Sequence, residues 1–325
     1  MDFHLDDDQV VLQDNVTRFC RTRWPLDRVS ERRTDALDRA GWNELIDLGV
    51  ISAMADEASG GLGLGIVEGA VVFEQLGYHL VPGPCLWSAL GSFVIPDVAG
   101  GGRMAGGAED SGAPRLFVEH ASEIDTLVVL RRDGISRIDR AQLPPAVTGD
   151  ALDPLNPVGV FTSLPAGALV GDAAEAARLR RVGVVLAAAL QLGISHAALD
   201  VAVAYSLERE QFGVPIGSFQ ALKHIMADMY VRTGLARSAT YAAAAVLDDP
   251  GVGDAERSIS AAKLLSGEAA VENARASIQV LGGMGFTWEM APNFLLKRAL
   301  VLDQSFGTPA SHALALGSML AKEVA

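Results

Sequence analysis

Cysteine is nearly absent. Cys20 and Cys85 are the only two in 325 residues, neither lies in a C-x-x-C, and two thiols make no disulfide framework. A reducing cytoplasm is therefore expected. Positive charge is also scarce: 26 Lys and Arg stand against 40 Asp and Glu, a formal charge of −14. Such a field repels a phosphate backbone, so nucleic acid is not an expected partner. No apolar run approaches the roughly 20 residues that span a bilayer, the longest being Val182 to Leu190. The acidic start, Met1 to Asp8, predicts no secretory leader. The six histidines (His4, His79, His120, His196, His224, His312) show no paired spacing, so no metal is expected. There is no G-x-x-x-x-G-K-[ST] loop and no G-x-S-x-G elbow, which removes P-loop nucleotidase and serine hydrolase chemistry.

Half the residues are apolar, enough for a large core, and they fall into three textures. Residues 1–82 read as an amino-terminal helical domain, with helical periods over Asp6 to Cys20, Thr34 to Leu48 and Ile66 to Gly77. Residues 83–171 are rich in Gly and Pro and predict a reduced β-domain. Strands are expected over Thr126 to Leu130 and Ile135 to Ile138, joined at Asp133-Gly134. Weaker strands are expected at Arg115 to Val118 and Val158 to Thr162, and Gly100 to Gly102 with Gly106-Gly107 predict a mobile loop. Residues 172–325 predict a carboxy-terminal bundle. Long helices are expected over Ala174 to Glu210, Phe219 to Leu247 and Asp254 to Leu281, then shorter ones over Pro292 to Leu302 and Pro309 to Lys322. The class is mainly α.

Two stretches carry chemistry. In Arg209-Glu210-Gln211-Phe212-Gly213-Val214-Pro215-Ile216-Gly217-Ser218-Phe219-Gln220, a long helix is expected to end at Gly213 and the next to start near Ser218. This gathers Arg209, Gln211 and Gln220 at one corner, where a guanidinium can grip phosphate oxygens and amides can bond ribose or ring edges. Taken alone, it is an ordinary helical hairpin with a surface arginine. In Gln279-Val280-Leu281-Gly282-Gly283-Met284-Gly285-Phe286, glycines at a helix end allow close backbone approach to a ligand. Alone, it is a helix cap and a turn, without the preceding strand of a dinucleotide fingerprint.

Together, R-x-Q-F-G-x-P-I-x-x-F-Q and, about sixty helical residues on, Q-x-x-G-G-x-G-F resemble the carboxy-terminal domain of acyl-CoA dehydrogenases. Trp42 to Val50, Glu57 to Gly63, Glu74-Gln75-Leu76-Gly77 and Pro82-Gly83-Pro84 resemble that family's first domain, and Glu123 to Val129 one of its β-domain strands. The resemblance implies the family's fold with a carboxy-terminal four-helix bundle, FAD as cofactor, an acyl-CoA substrate and electron-transfer flavoprotein as acceptor. It implies that Arg209, Gln211, Phe212, Phe219 and Gln220 reach the flavin nucleotide held by a neighbouring subunit. Gln279, Gly282, Gly283 and Gly285 match the segment along its adenosine and pyrophosphate. Thr308 matches a threonine near the subunit's own nucleotide site.

Two departures stand out. Where the family commonly carries its catalytic Glu, before Gly307-Thr308, this chain has Phe306. The alternative base position, counted back from Arg209, falls near Gly183 between Val182 and Val184, with Glu175 about two turns off. No catalytic residue is therefore assigned. The middle region also lacks a T-E-P-x-A-G-S-D-like segment, so the chain is not expected to cradle the flavin ring by itself. Both departures resemble the short, base-less subunits of actinobacterial α2β2 enzymes acting on CoA thioesters of steroid side chains, whose partner is a full-length acyl-CoA dehydrogenase subunit. The alternatives are a self-sufficient enzyme using Asp303 or Glu289 as base, and a flavin-free assembly or regulatory protein.

Overall fold

A computed structural model describes residues 5–34 and 37–324 of the chain; His4 and the first residues of the acidic start lie outside them. The amino-terminal third holds α1 (Asp7–Arg23), α2 (Arg39–Asp47), α3 (Ile66–Tyr78), α4 (Cys85–Ser92) and α5 (Pro96–Ala99). Seven strands follow: β1 (Ala105–Glu109), β2 (Leu116–Glu119), β3 (Thr126–Leu130), β4 (Gly134–Asp139), β5 (Val147–Thr148), β6 (Val158–Phe161) and β7 (Ala168–Asp172). Then come α6 (Ala173–Glu208), the two-residue strands β8 (Glu210–Gln211) and β9 (Val214–Pro215), α7 (Gln220–Asp248), α8 (Ala255–Leu281), α9 (Ala291–Leu302) and α10 (Pro309–Val324). The chain is mainly helical, as its periodicity predicts.

These elements form two compact units, one of Thr34–Gly69 and Pro82–Gly183, the other of Met1–Arg33, Ala70–Val81 and Val184–Ala325. In the first, β1, β3, β4 and β7 form one sheet in that order, with β1 parallel to β3 and the other pairs antiparallel. A second sheet runs β2-β6-β5. Strand β3 is buried along its whole length, as five consecutive apolar or β-branched residues require. The turn between β3 and β4 falls where Asp133-Gly134 predicts it.

The glycine-rich stretch corrects an expectation. Gly106 and Gly107 lie in buried strand β1, not in a mobile loop. Their lack of a side chain is a packing requirement. A Cβ at Gly107 would sit 1.9 Å from the Trp87 ring, and one at Gly106 2.8 Å from Ile124. Trp87 belongs to α4, every residue of which is buried.

In the second unit, α8 is the hub, packed against α7, α9 and α10. Asp254 caps it, accepting from the Arg257 amide at 2.8 Å. Helices α7 and α8 run antiparallel, and their register is fixed by polar pairs. Arg232 donates to Asn273 at 3.1 Å, Asn273 donates to Thr233 at 2.9 Å, and the hydroxyls of Thr240 and Ser266 meet at 2.8 Å. On α3, Glu74 is fully buried; it pairs with Arg237 and accepts from the Tyr241 hydroxyl at 2.8 Å. Gly77, in the same Glu-Gln-Leu-Gly run, is what lets α3 lie against α6, because a Cβ there would meet the Leu190 carbonyl oxygen at 2.1 Å. Helix α6 is long and apolar enough to cross a membrane, although no single run of its sequence suggests it. Its most apolar window is 89% buried within the protein, the mark of a core helix.

Candidate functional site

The corner after α6 differs from the simple helix–turn–helix that its sequence suggests. The helix stops at Glu208, short of the expected Gly213, and β8 and β9 pair as a miniature hairpin, Glu210 opposite Pro215 and Gln211 opposite Val214. At the tip, Phe212 and Gly213 both have positive φ, 55° and 80°, the geometry of a two-residue turn between antiparallel strands. Holding a phenylalanine there costs on the order of 1 kcal/mol. Its ring is 94% exposed, touching Phe219 edge-on with 6.2 Å between centroids. Arg209, Gln211 and Gln220 are exposed around it. Among the described residues, no carboxylate pairs with Arg209.

The α7–α8 register brings the second motif to the same end of the bundle. Residue numbers of facing positions sum to about 505, so the start of α7 faces the end of α8 and the glycines beyond it. These glycines are not alike. Added Cβ atoms at Gly282 and Gly283 would meet nothing within 4 Å, and Gly282 has φ of +64°. The backbone there is open, as a cradle for a phosphate-bearing ligand requires. Gly285 is buried, and a Cβ on it would lie 2.8 Å from Ile278. Its glycine serves packing of the turn onto α8. Gln279 is exposed, one turn before the open pair. Around this end, Phe286, Met284 and Trp288 are also solvent-facing.

Thr308 lies elsewhere. It starts α10, accepting from the Ser311 amide through its hydroxyl oxygen at 3.1 Å, and its hydroxyl proton remains to be donated. Helix α10 meets α8 at Ser260, 21 residues from Leu281, or about 30 Å along a helix at 1.5 Å per residue. The residues expected to bind cofactor therefore fall into two sets at opposite ends of α8.

Phe306 has φ of +54° and is only 6% exposed. The position expected to hold a base is filled by a ring packed into the protein. Val182, Gly183 and Val184 are buried in α6 and bring no carboxylate. Glu175 is chelated by the Arg178 guanidinium at 2.7 to 3.2 Å. Glu289 is exposed in the turn before α9. Asp303 accepts from Gln191 at 3.0 Å, and Gln191 accepts from Lys263 at 3.1 Å. Burial raises the Asp303 pKa, while the Lys263 charge and the Gln191 hydrogen bond oppose the rise. Lys263 is fully buried, also donates to the Leu302 carbonyl at 2.9 Å, and has its pKa pushed down to about 8 by burial, against the pull of Asp303. Sequence spacing gave no hint of this cluster, because its members lie on three helices far apart in the chain.

Residues 6–104 match the amino-terminal domain of acyl-CoA dehydrogenases, and residues 175–320 match the carboxy-terminal domain. Acyl-CoA dehydrogenase IpdE2 of Mycolicibacterium smegmatis is 32% identical over 276 residues, 82% of this chain and 84% of the relative. The chain belongs to the acyl-CoA dehydrogenase family. Its fold is also that of one chain of the ChsE4-ChsE5 complex from Mycobacterium tuberculosis, with a TM-score of 0.83 and 24% identity over 99% of both chains. A chain of the Tcur3481-Tcur3483 steroid acyl-CoA dehydrogenase gives 0.84 and 22% identity over 98% of this chain and 99% of that one. The family's cofactor is FAD, and the open glycine turn, the free Arg209 and the exposed aromatic tip fit it.

Proposed function

We propose that this chain is the base-less subunit of a hetero-oligomeric, FAD-dependent acyl-CoA dehydrogenase, and that it donates one half of a flavin site to a full-length partner. Its three-region organisation (1–82, 83–171, 172–325) is that of a family member with a shortened middle domain. The observation that carries the reading is Phe306: a buried ring stands where the α-proton would be taken. Carboxylate chemistry at that point is thus left to the partner.

In this reading Arg209 holds phosphate oxygens of the partner's FAD, and Gln211 and Gln220 bond its polar edges. Phe212 and Phe219 cover it, and Gln279, Gly282 and Gly283 lie along its pyrophosphate. Gly285 shapes the turn that presents them. Bound FAD supplies the acceptor for the hydride leaving the β-carbon. Thr308, about 30 Å away along α8, serves a different nucleotide. The substrate is a CoA thioester, of a steroid side chain by analogy with the steroid enzyme of the same fold. A two-component assembly has the same support, since both fold relatives are named as pairs. Electron-transfer flavoprotein is the acceptor, and the reducing cytoplasm the compartment, in keeping with two buried cysteines that form no disulfide.

Co-expression with a full-length acyl-CoA dehydrogenase subunit tests the reading. The expected product is a yellow complex that reduces an artificial acceptor with a CoA thioester and loses its flavin when Arg209 becomes Ala. A colourless complex would defeat the flavin assignment and leave an assembly role.

A further inference from the structure

The turn between α9 and α10 is held in an arrangement that the reaction alone does not explain. Phe306 and Gly307 both have positive φ, 54° and 92°, and a phenylalanine stays there only if its surroundings impose it. The imposing group is His312. Its Nε2 lies 2.9 Å from the Phe306 carbonyl and its Nδ1 3.2 Å from the Ser260 hydroxyl. A carbonyl only accepts, so Nε2 carries the proton. Nδ1 then has a lone pair and accepts from Ser260. The ring sits against Gly307 so closely that a Cβ there would lie 2.7 Å from Nε2. Three residues along α8, Lys263 holds the carbonyl of Leu302 at the start of the same turn. Helix α8 thus holds the segment at two points, Leu302 through Lys263 and Phe306 through Ser260 and His312.

We propose that His312, in this neutral tautomer, is the positioning residue for the Phe306–Thr308 turn, bridging α8 to the Phe306 carbonyl so that the Thr308 hydroxyl is presented to a nucleotide. The proposal rests on the cofactor reading only in its last clause. The titratable groups facing the ring are Lys263 and Glu256, both of α8, and burial adds to Lys263 in keeping the ring neutral near neutral pH, against Glu256 and the Phe306 carbonyl.

Hydrogen exchange of the purified chain and FAD content of its complex test the two parts separately. His312→Leu removes both bonds at similar bulk. His312→Gln keeps one amide hydrogen for Phe306 and one oxygen for Ser260. The Leu variant is expected to speed exchange of the 304–308 amides about tenfold, the loss of roughly one buried hydrogen bond, while α6 and α7 exchange as before. The Gln variant should restore most of the protection, and Ser260→Ala should lie between. In the complex, FAD content should fall with Leu and return with Gln. Unchanged exchange in His312→Leu would overturn the proposal, as would equal acceleration by Leu and Gln. If His312→Leu does not fold, Ser260→Ala and His312→Gln decide alone: no acceleration in Ser260→Ala overturns it. A wild-type complex without FAD would refute the cofactor reading and leave the exchange result standing.

Discussion

The two ends of α8 are built on opposite plans. At its amino end, the polar groups are satisfied inside the chain, the Thr308 hydroxyl proton excepted. Lys263 holds Gln191 and Leu302, His312 holds Ser260 and Phe306, and Phe306 itself is buried. At its carboxy end, no carboxylate among the described residues pairs with Arg209, Phe212 is almost fully solvated, and Gly282 and Gly283 face empty space. Burying an apolar side chain is worth roughly 2 kcal/mol, so an aromatic tip left outside in a strained backbone is stable only at a cost. The first end closes on itself, and the second stays open, as the proposed function requires of a surface that meets a partner.

Changes at the closed end should therefore be felt in stability, and changes at the open end in binding. Lys263→Met is expected to cost the most, about 3 kcal/mol, because Asp303, Gln191 and the Leu302 carbonyl lose their cation at once; urea unfolding midpoints measure it. Acid should act on a similar scale. Burial, aided by Arg32 and Arg21, pushes the His79 pKa down to about 4, against the pull of the Trp24 backbone carbonyl, and His312 is also depressed. Both rings gain protons more readily in the unfolded chain. Stability should hold above about pH 6.5 and fall as pH drops from there toward 4, by on the order of 3 kcal/mol for His79. A His79→Gln variant should flatten that slope.

Arg209→Ala should leave the urea midpoint within about 0.5 kcal/mol of wild type. Yet it should weaken FAD binding in the complex by about 2 kcal/mol, read by flavin release, since a charged hydrogen-bond donor is lost. The glycine turn offers the smallest and sharpest contrast. Gly285→Ala forces a Cβ onto Ile278 and should destabilise by about 1–2 kcal/mol. Gly283→Ala, with open space around it, should leave stability unchanged and lower only flavin affinity. Equal stability losses for the two would break the distinction between the ends.

Most of the helical framework was legible because α6, α7 and α8 repeat Ala, Leu and Val at helical spacing, and α7 and α8 end at Asp or Gly. The family resemblance came from two motifs at fixed spacing. What escaped was decided by contacts distant in sequence. Gly106 and Gly107 read as a loop because nothing local reveals that Trp87 and Ile124 occupy the missing side-chain space. The α6 helix was expected to run on to Gly213 because Arg209, Glu210 and Gln211 are good helix formers; the turn at Phe212-Gly213 and its strand pairing override them. Asp303 reads as a free carboxylate until Gln191 and Lys263 arrive from other helices. His312 has no partner at i±4 and only tertiary structure gives it two.

The most direct test is the purified chain by itself, saturated with FAD and mixed with an acyl-CoA under anaerobic conditions while the flavin absorbance band is followed. A chain with Phe306 in place of a base should not bleach the band. Bleaching at a rate matching that of a complete acyl-CoA dehydrogenase, and lost in Asp303→Asn, would mean that this polypeptide removes the proton unaided.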